Sequence, residues 1–394
     1  MTEKTINLKA VDSWFFRETK PMNAGGDAQS IFPPGIRTVA GAIRTWIGEK
    51  ENVDWKAYKE NDKHPLRKTI GSNKDGDLGG LSFKGVWINK DGARLYPAPL
   101  HLLKKEQQLY QLILNEEGTH CDLGKNIRLP KLPSDDAKGS KPLENTWIDA
   151  STYQILLQGE AVSYDKENCG NDNKHFFNLD SIFTSESRTG LARDNTKRTA
   201  IKGNLYQAQH IRPQADISLE VDIKGLPESC QQGSALVRLG GESRGASLHV
   251  NEQSASLAVI DTKNINVAET QGIIIYLLSA LEMTYEDYKI KPLPSFKLKE
   301  KEEADTSYWE GKIEGIPLKL HGAVVGKSIR DGGWDMAERK PRDDRSLIPA
   351  GSLYYCEVVD GDIAKAINAI HGKQLGKLQQ YGYGQLAVGI WKKG

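Results

Sequence analysis

The stretch from residue 14 to residue 48 constrains the fold more than any other part of the chain. An apolar run, Trp14-Phe15-Phe16, stops at Arg17, and a glycine-containing loop then leads to a Phe-Pro-Pro-Gly sequence at residues 32–35. Apolar residues follow at i, i+3, i+4, i+7 and i+8, namely Val39, Ala42, Ile43, Trp46 and Ile47. This spacing predicts a helix with one apolar stripe that packs against a sheet. The stretch therefore predicts a strand, a loop and a helix.

The opposite face of this predicted helix combines features that suit a phosphate chain. Arg37 and Arg44 are seven residues apart and share that face, with Gly41 between them. Pro34 fits the first turn, where its missing N–H would have no partner in any case. Free N–H groups at a helix start, guanidinium groups and a glycine without a side chain favour anion binding. An ordinary amphipathic helix with a solvated basic face is the competing interpretation.

Length and composition limit the classes of protein to which the chain can belong. Its 394 residues, 38% hydrophobic and 27% charged, suffice for two domains with their own cores. No apolar run reaches the roughly 18 residues of a membrane helix, and the N-terminus has no secretory pattern, so we expect a cytoplasmic protein without a membrane partner. The net charge of +1 means that any nucleic-acid binding depends on local basic patches.

The order of apolar segments predicts an α+β fold. Each half reads as strands flanking helices with hairpins between them, a βαββαβ pattern of the ferredoxin-like, RRM-like kind. We expect a hairpin at residues 81–100, a short strand from Tyr153 to Leu157, a returning strand at 216–223 and a helix from about Asp362 to His371. The sequence GLPESCQQG at residues 225–233 interrupts the pattern. We therefore predict domains at residues 1–228 and 229–394.

A second basic stretch lies between Glu186 and Arg212. It contains two acidic residues, Glu186 and Asp194, and six basic ones, Arg188, Arg193, Lys197, Arg198, Lys202 and Arg212. Turn-forming residues in its middle and extended segments around them predict a protruding hairpin at about residues 177–213. Such a hairpin suits RNA binding, whereas a solvated loop with incidental charge is the alternative.

Further basic residues lie beside glycines in the second half. Arg238 and Arg244 flank a Gly-Gly pair, and the C-terminal stretch KQLGKLQQYGYGQLAVGIW predicts a glycine-rich loop before a last strand. Lysines, aromatic rings and glycines together suit phosphates and unpaired bases. The candidates in this loop are Lys373, Gly376, Lys377, Tyr381, Gly382, Tyr383 and Gly384. Simple packing within a hairpin is the competing interpretation of the two tyrosines.

Known catalytic and cofactor patterns are missing from the sequence. There is no H-E-x-x-H motif, complete P-loop, dinucleotide fingerprint or G-x-S-x-G elbow. The four cysteines, Cys121, Cys169, Cys230 and Cys356, form no C-x-x-C pair. We therefore predict no cofactor, no metal site and no enzymatic activity.

Five stretches in this order resemble one family, the RAMP subunit of type III-B CRISPR Cmr complexes that holds the 5′ tag of the crRNA. This is the third Cmr subunit, related to the fifth-class Cas RAMPs. The resemblance rests on WFFRETKPMNAGG…IFPPGIRTVAGAIRTWIG, ESRTGLARDNTKRTAIKGNLYQAQHIRP, LVRLGGESRGASL, GGWDMAERKP…LIPAGSLYYCE and YGYGQLAVGIW.

The resemblance implies two ferredoxin-like domains, a thumb-like β-hairpin along the guide and a glycine-rich C-terminal loop. It also implies contacts with the large polymerase-like subunit and with an adjacent backbone RAMP subunit, and no nuclease activity. Carried over by position, Arg17, Arg37 and Arg44 belong to the first motif. The thumb takes Arg188, Arg193, Lys197 and Arg198, and the loop takes Gly376, Gly382 and Gly384.

Three functions are compatible with these observations. The leading hypothesis is a non-catalytic crRNA-binding subunit of a type III-B interference complex. The second is a metal-independent RAMP endoribonuclease that processes repeat RNA, with His210 or His321 as the general base. The third is a protein-interaction module that touches no RNA.

Overall fold

The computed structural model describes residues 3–18, 27–72, 74, 76–164, 175–251, 257–282, 284–286, 289–301, 305–335 and 340–393. Within these ranges the chain forms helices and mostly antiparallel strands, which confirms the α+β class. The helices are α1 (Ile36–Lys50), α2 (Trp55–Glu60), α3 (Arg67–Ile70), α4 (Ala150–Leu157), α5 (Leu179–Ile182) and α6 (Ile363–Ile370).

The strands fall into two series along the chain. The first series is β1 (Lys4–Ala10), β2 (Asp27–Ala28), β3 (Ser82–Lys90), β4 (Ala93–Pro97), β5 (Leu102–Lys105), β6 (Gln108–Gln111), β7 (Ile113–Leu114), β8 (Thr119–Cys121), β9 (Gly124–Ile127), β10 (Pro130–Lys131), β11 (Lys141–Pro142), β12 (Thr146–Asp149), β13 (Phe176–Asn178), β14 (Phe183–Asp194), β15 (Thr199–Pro213), β16 (Ile217–Lys224), β17 (Gly233–Arg238) and β18 (Gly245–Asn251). The second series is β19 (Thr270–Leu277), β20 (Leu281–Glu282), β21 (Thr284–Glu286), β22 (Lys289–Lys291), β23 (Lys297–Lys299), β24 (Tyr308–Ile313), β25 (Ile316–Val324), β26 (Ile329–Asp331), β27 (Trp334–Asp335), β28 (Lys340–Pro341), β29 (Arg345–Ile348), β30 (Leu353–Val358) and β31 (Leu386–Lys392).

The first large sheet has eight strands in the order β13-β12-β4-β3-β16-β1-β18-β17. Helix α1 packs on it with the stripe read from the sequence, and all five stripe residues are buried. They meet Ile6, Leu8, Leu219 and Leu248 in one core. The predicted helix is therefore confirmed, whereas the apolar run at residues 14–16 forms no strand and makes only an isolated bridge from Trp14 to Ile211. Residues 19–26 of the predicted loop lie outside the described residues.

The second large sheet has six strands in the order β23-β24-β25-β30-β19-β31. Helix α6 buries Ile363, Ala366, Ile367 and Ile370, and the Asp362 side chain caps it by accepting the Lys365 N–H. The predicted helix at residues 362–371 is thus confirmed. The described residues between Leu277 and Leu353 hold no α-helix, so the second half departs from the predicted βαββαβ alternation.

Two other local predictions have opposite outcomes. The hairpin β3–β4 turns at Asp91 and Gly92, both with positive φ, as the Asp-Gly pair predicts. The predicted strand from Tyr153 to Leu157 is wrong, since these residues lie in α4. Asp149 caps this helix by accepting the Thr152 N–H at 2.7 Å, and an aspartate at the start of an i, i+3, i+4 apolar pattern is a helix signal.

The first sheet continues beyond the predicted domain boundary at residue 228. Strands β17 and β18 follow that position, yet β18 pairs with β1 from Thr5 to Ala10 and β17 pairs with β18. The residues that interrupt the sequence pattern form a short 3₁₀ turn at Glu228–Cys230 between two strands of the same sheet. The chain therefore changes sheet between Asn251 and Thr270, and the expected boundary is corrected accordingly.

A buried ionic cluster lies on the face of the first sheet opposite α1. The Arg94 guanidinium donates to both carboxylate oxygens of Asp222 at 2.7 and 2.8 Å, and its Nε donates to Glu220 at 3.2 Å. Thr5 and Asn89 donate to the same two carboxylates. Burial disfavours the charge of Arg94, but the hydrogen bond to Asp222 and the two carboxylates outweigh it and raise its pKa.

Replacing Arg94 tests how far the first sheet depends on this cluster. We expect Arg94→Leu to lower the free energy of unfolding by about 3–5 kcal/mol, because it leaves two buried carboxylates without their cation. The exposed Arg193→Leu should change it by less than about 0.5 kcal/mol. Urea unfolding followed by circular dichroism measures both, and equal midpoints for the two variants would contradict the role given to Arg94.

Candidate RNA-binding surface

The long hairpin β14–β15 is the first candidate element. Its strands pair from Phe183 with Pro213 up to Asp194 with Thr199. At the tip, the Asp194 carboxylate accepts the backbone N–H groups of Thr196 and Lys197 at 2.9 and 3.1 Å. An aspartate that holds the turn after it in this way explains why the sequence reverses here. The hairpin lies within the predicted range of residues 177–213.

The base of the hairpin is bound firmly to the N-terminal segment. Trp14 and Ile211 exchange two backbone hydrogen bonds of 2.8 Å, and β2 pairs in parallel with β15 at Gln207 and Ala208. Phe15, Ala28 and Ala208 form a small core beneath it. The apolar run at residues 14–16 therefore anchors the hairpin to the body of the protein.

The arginines at the base are paired with carboxylates. Arg188 lies 2.6 Å from Glu186 and 3.1 Å from Asp12, while Arg212 lies 2.7 Å from Asp12 and 2.6 Å from Glu186. Arg244 lies 3.7 Å from Asp12. Hydrogen bonds from Arg212 and Arg188 lower the pKa of Asp12. These predicted RNA-binding arginines thus form a cluster of ion pairs, in which the carboxylates neutralise much of the arginine charge.

The distal half of the hairpin carries uncompensated positive charge. Arg193, Lys197 and Arg198 are exposed, and their side chains make no ion pair or hydrogen bond with the described residues. Leu191 and Leu205, which face each other across the strands, are 54% and 59% exposed. The side chain of Lys202 lies outside the described part. The tip therefore offers free cations beside apolar side chains.

The predicted arginine face of α1 is largely internal. The side chain of Arg37 is only 7% exposed, its Nε lies 3.3 Å from the Asp331 carboxylate, and its guanidinium lies 5.6 Å from the centre of the Tyr381 ring. Tyr383 donates to the same carboxylate at 2.8 Å. The expectation that Arg37 points to solvent is therefore wrong, because Asp331 and the two tyrosines cover it.

The start of α1 already has an anion beside it. Gly35 is the N-cap and provides no side-chain cap, and Asp331 Oδ1 lies 3.5 Å from the position of a Cβ on Gly35. A carboxylate of the same chain thus lies where a phosphate was expected. Arg44 donates to the Ser72 carbonyl at 2.6 Å and holds the loop after α3, while Gly41 is exposed with open space around it.

The glycine-rich C-terminal loop is packed inside the protein. Tyr381 and Tyr383 are buried in the first core, which contradicts the prediction that they stack on bases, and they pack in that core rather than within a hairpin. Gly382 and Gly384 both have positive φ. A Cβ on Gly382 would lie 2.6 Å from Gly85 N, and a Cβ on Gly384 would lie 2.0 Å from Leu375 O. A Cβ on Gly376 would lie 2.6 Å from Leu281. These glycines allow close backbone approach within the chain itself.

The other candidates lie apart on the surface. Arg17 and Arg238 are exposed, as are Lys373 and Lys377 of the C-terminal loop, and Lys377 lies 3.8 Å from Glu282. The structure therefore does not gather the predicted residues into one site. The exposed set comprises Arg17, Gly41, Arg193, Lys197, Arg198, Arg212, Arg238, Lys373 and Lys377.

The acidic partners of Arg37, Arg188 and Arg212 are not among the residues predicted from the sequence. Glu186 precedes Arg188 by two residues on a strand, and this spacing places both side chains on one face. That signal was available in the sequence. Asp12 and Asp331, by contrast, meet their arginines only through the tertiary fold.

The two candidate histidines are enclosed. His210 is buried and stacked on Phe15, its Nδ1 lies 3.3 Å from Ser13 Oγ, and its Nε2 lies 3.0 Å from Glu242. His321 Nε2 lies 3.0 Å from Glu357. Burial lowers the pKa of both histidines. Among the described residues, no group of three or more His, Cys, Asp or Glu is arranged to hold a metal ion.

The comparison with protein families decides the identity. Residues 6–391 match the sequence model of a family described as CRISPR-associated protein (Cas_Cmr3). The chain belongs to the Cas_Cmr3 family. This confirms the resemblance inferred from the five motifs. A comparison with curated proteins gave no match.

Solved structures also resemble this Cas_Cmr3 protein. A chain of the type III-B Cmr-beta complex bound to cognate target RNA and AMPPnP has a TM-score of 0.49 at 16% identity, covering 98% of this chain and 99% of that chain. A chain of the Csm3-Csm4 subcomplex of the type III-A interference complex has a TM-score of 0.36 at 13% identity, covering 90% and 94%. A chain of the Csm1-Csm4 cassette with AMPPNP has a TM-score of 0.31 at 8% identity, covering 89% and 87%.

No helix among the described residues has the length and apolar character needed to cross a membrane.

Reversing the charge of Arg37 distinguishes an internal role from a surface one. We expect Arg37→Glu to lower the free energy of unfolding by about 3 kcal/mol or more, because it places a second carboxylate beside the poorly exposed Asp331. The exposed Arg17→Glu is the control and should change it by less than about 0.5 kcal/mol. Thermal unfolding measures both, and a fully stable Arg37→Glu variant would contradict the internal assignment.

Proposed function

We propose that this Cas_Cmr3 protein is a crRNA-binding subunit of a type III-B CRISPR effector complex. In this proposal it holds the 5′ tag of the guide, contacts the large polymerase-like subunit and an adjacent backbone RAMP subunit, and contributes no catalytic group. Family membership over residues 6–391 supports the association with CRISPR. The chemistry of the hairpin supports the RNA-binding role.

The observation that carries the proposal is the uncompensated charge at the tip of β14–β15. Arg193, Lys197 and Arg198 have no carboxylate partner among the described residues, so their pairing capacity is available to phosphates. A strand of 12 residues such as β14 spans about 40 Å. The tip can therefore reach RNA well away from the body of the protein.

The charge distribution along the hairpin determines where RNA contacts fall. At the base, Asp12 and Glu186 occupy Arg188 and Arg212, so a phosphate there would have to displace a carboxylate. At the tip nothing has to be displaced. We therefore assign the phosphate contacts to the distal half and a positioning role to the base. Exposed Leu191 and Leu205 add apolar surface for sugar or base edges beside those cations.

The burial of both candidate histidines favours a non-catalytic role. A general base must come within hydrogen-bond reach of the proton it removes. His210 contacts Ser13 and Glu242 through its two ring nitrogens and is fully enclosed, and His321 contacts Glu357. Neither offers a substrate hydroxyl an accessible nitrogen in this arrangement.

Charge reversal at the tip tests the RNA-binding role. The triple variant Arg193→Glu/Lys197→Glu/Arg198→Glu should lose most co-purifying guide RNA, and its slope of log affinity against log salt should fall by about 2–3. The matched control Lys56→Glu/Lys63→Glu/Lys125→Glu makes the same charge change at exposed lysines elsewhere. Binding to an RNA that carries the 5′ tag, at several salt concentrations, measures the effect. Equal losses in both variants would refute a specific role for the tip.

Incubation with repeat RNA in the absence of metal tests the non-catalytic part. We expect no defined cleavage by the purified chain. A defined cut that disappears in His210→Ala or His321→Ala would overturn this part of the proposal and support the endoribonuclease alternative.

A further inference from the structure

Strand β17 is an open edge of the first sheet. It pairs with β18 from Gly233–Val250 to Arg238–Gly245 without a register shift. On its other side, no strand of the described chain pairs with it. The outward-directed main-chain groups of these six residues therefore have no sheet partner within the described chain.

The direction of the free main-chain groups follows from one hydrogen bond. Leu239, which follows β17, donates to the Arg244 carbonyl at 2.8 Å across the β17–β18 turn. Because N–H groups alternate in direction along a strand, Ser234, Leu236 and Arg238 direct theirs to the free edge. A row of unpaired donors and acceptors at this spacing is complementary to another extended chain.

One edge strand of the second sheet, β23, carries lysines that β17 lacks. Strand β23 carries Lys297 and Lys299, which block edge pairing through their charge. Strand β17 has no lysine, proline or bulge. Its central Leu236 is 77% exposed, more than any other large hydrophobic residue of the described chain.

The outward face of the sheet beside this edge is basic. Lys9 on β1, His249 on β18 and Arg238 on β17 are exposed on it, while Ile6, Leu8, Leu248 and Val237 face the core. The remaining outward positions on these three strands are Thr5, Asn7, Ser234, Leu236, Gly245, Ser247 and Asn251, and none is acidic. A strand added here would place its own outward side chains beside Leu236 and Arg238. Carboxylates and one apolar side chain complement that surface.

We propose that β17 is the attachment site for an extended segment of a different protein, which adds to the first sheet as its next strand. The partner segment carries acidic side chains toward Arg238 and an apolar side chain beside Leu236. A second copy of this chain fits less well, since it would bring the same basic face to the edge. RNA lacks the alternating amide donors and acceptors that match a strand edge. This surface is separate from the hairpin tip and goes beyond the proposed RNA-binding function.

A proline at position 236 isolates the main-chain contribution. Leu236→Pro removes one N–H of the free edge and leaves the bonds to β18 intact, so the chain should fold with an unchanged unfolding midpoint. Leu236→Thr keeps that N–H and removes only the apolar side chain. Leu123→Thr is the matched control, because it removes another exposed leucine, in the turn between β8 and β9.

The test uses the full chain alone and co-expressed with the other Cas proteins of its own locus. Hydrogen exchange read by mass spectrometry reports the amides of residues 233–238 in both samples. We expect these amides to exchange more slowly in the assembly. Incorporation of Leu236→Pro should fall by about tenfold or more, that of Leu236→Thr by less, and that of Leu123→Thr not at all.

Two results would overturn the proposal. One is the loss of the expected effect in the assembly, seen either as equal exchange of the β17 amides in the free chain and in the assembly or as incorporation of Leu236→Pro at the wild-type level. The other is a homodimer of the free chain, seen by light scattering, that Leu236→Pro converts to monomer. RNA content is scored separately: a protected β17 in an assembly without guide RNA would refute the proposed RNA-binding function and leave the edge proposal standing.

Discussion

The carboxylate of Asp331 joins three parts of the chain that are far apart in sequence. It pairs with Arg37 of α1, accepts the hydroxyl of Tyr383 from the C-terminal loop, and lies beside Gly35 at the start of α1. Because these groups are poorly exposed, each depends on the others to satisfy its charge or its hydrogen bond. The placement of the glycine-rich loop against β3 follows from this contact, since Gly382 can approach Gly85 only where Tyr381 and Tyr383 are held in the first core.

The predictable part of the fold is its local periodicity. The stripe on α1, the capped helix α6 and the Asp-Gly turn after β3 depend on residues within one element, and the sequence displays them directly. The sequence from Tyr153 to Leu157 predicts a strand although it forms part of α4, because five residues are too few to distinguish a period of two from a period of 3.6. The capping Asp149 is the signal that distinguishes them. The domain boundary was placed too early because a turn between two strands of one sheet looks like a linker in sequence.

The candidate site was harder to predict, because positive charge in a sequence is not the same as positive charge at a surface. Basic residues outnumber acidic ones between Glu186 and Arg212, yet Asp12, which follows β1, neutralises part of that positive charge. Arg37 likewise meets a carboxylate from the second half of the chain. Tertiary partners of this kind leave no periodic signal. What survives is the tip, where the side chains of Arg193, Lys197 and Arg198 have no carboxylate partner among the described residues.

The burial of Tyr381 and Tyr383 in the first core also bears on the order in which the protein is made. Every strand of the first sheet leaves the ribosome long before these two tyrosines do. Until they arrive, Arg37 and the nearby face of β3 lack their covering. The core around α1 and β3 is therefore completed only once residues 381–383 have been made, long after the strands of its own sheet.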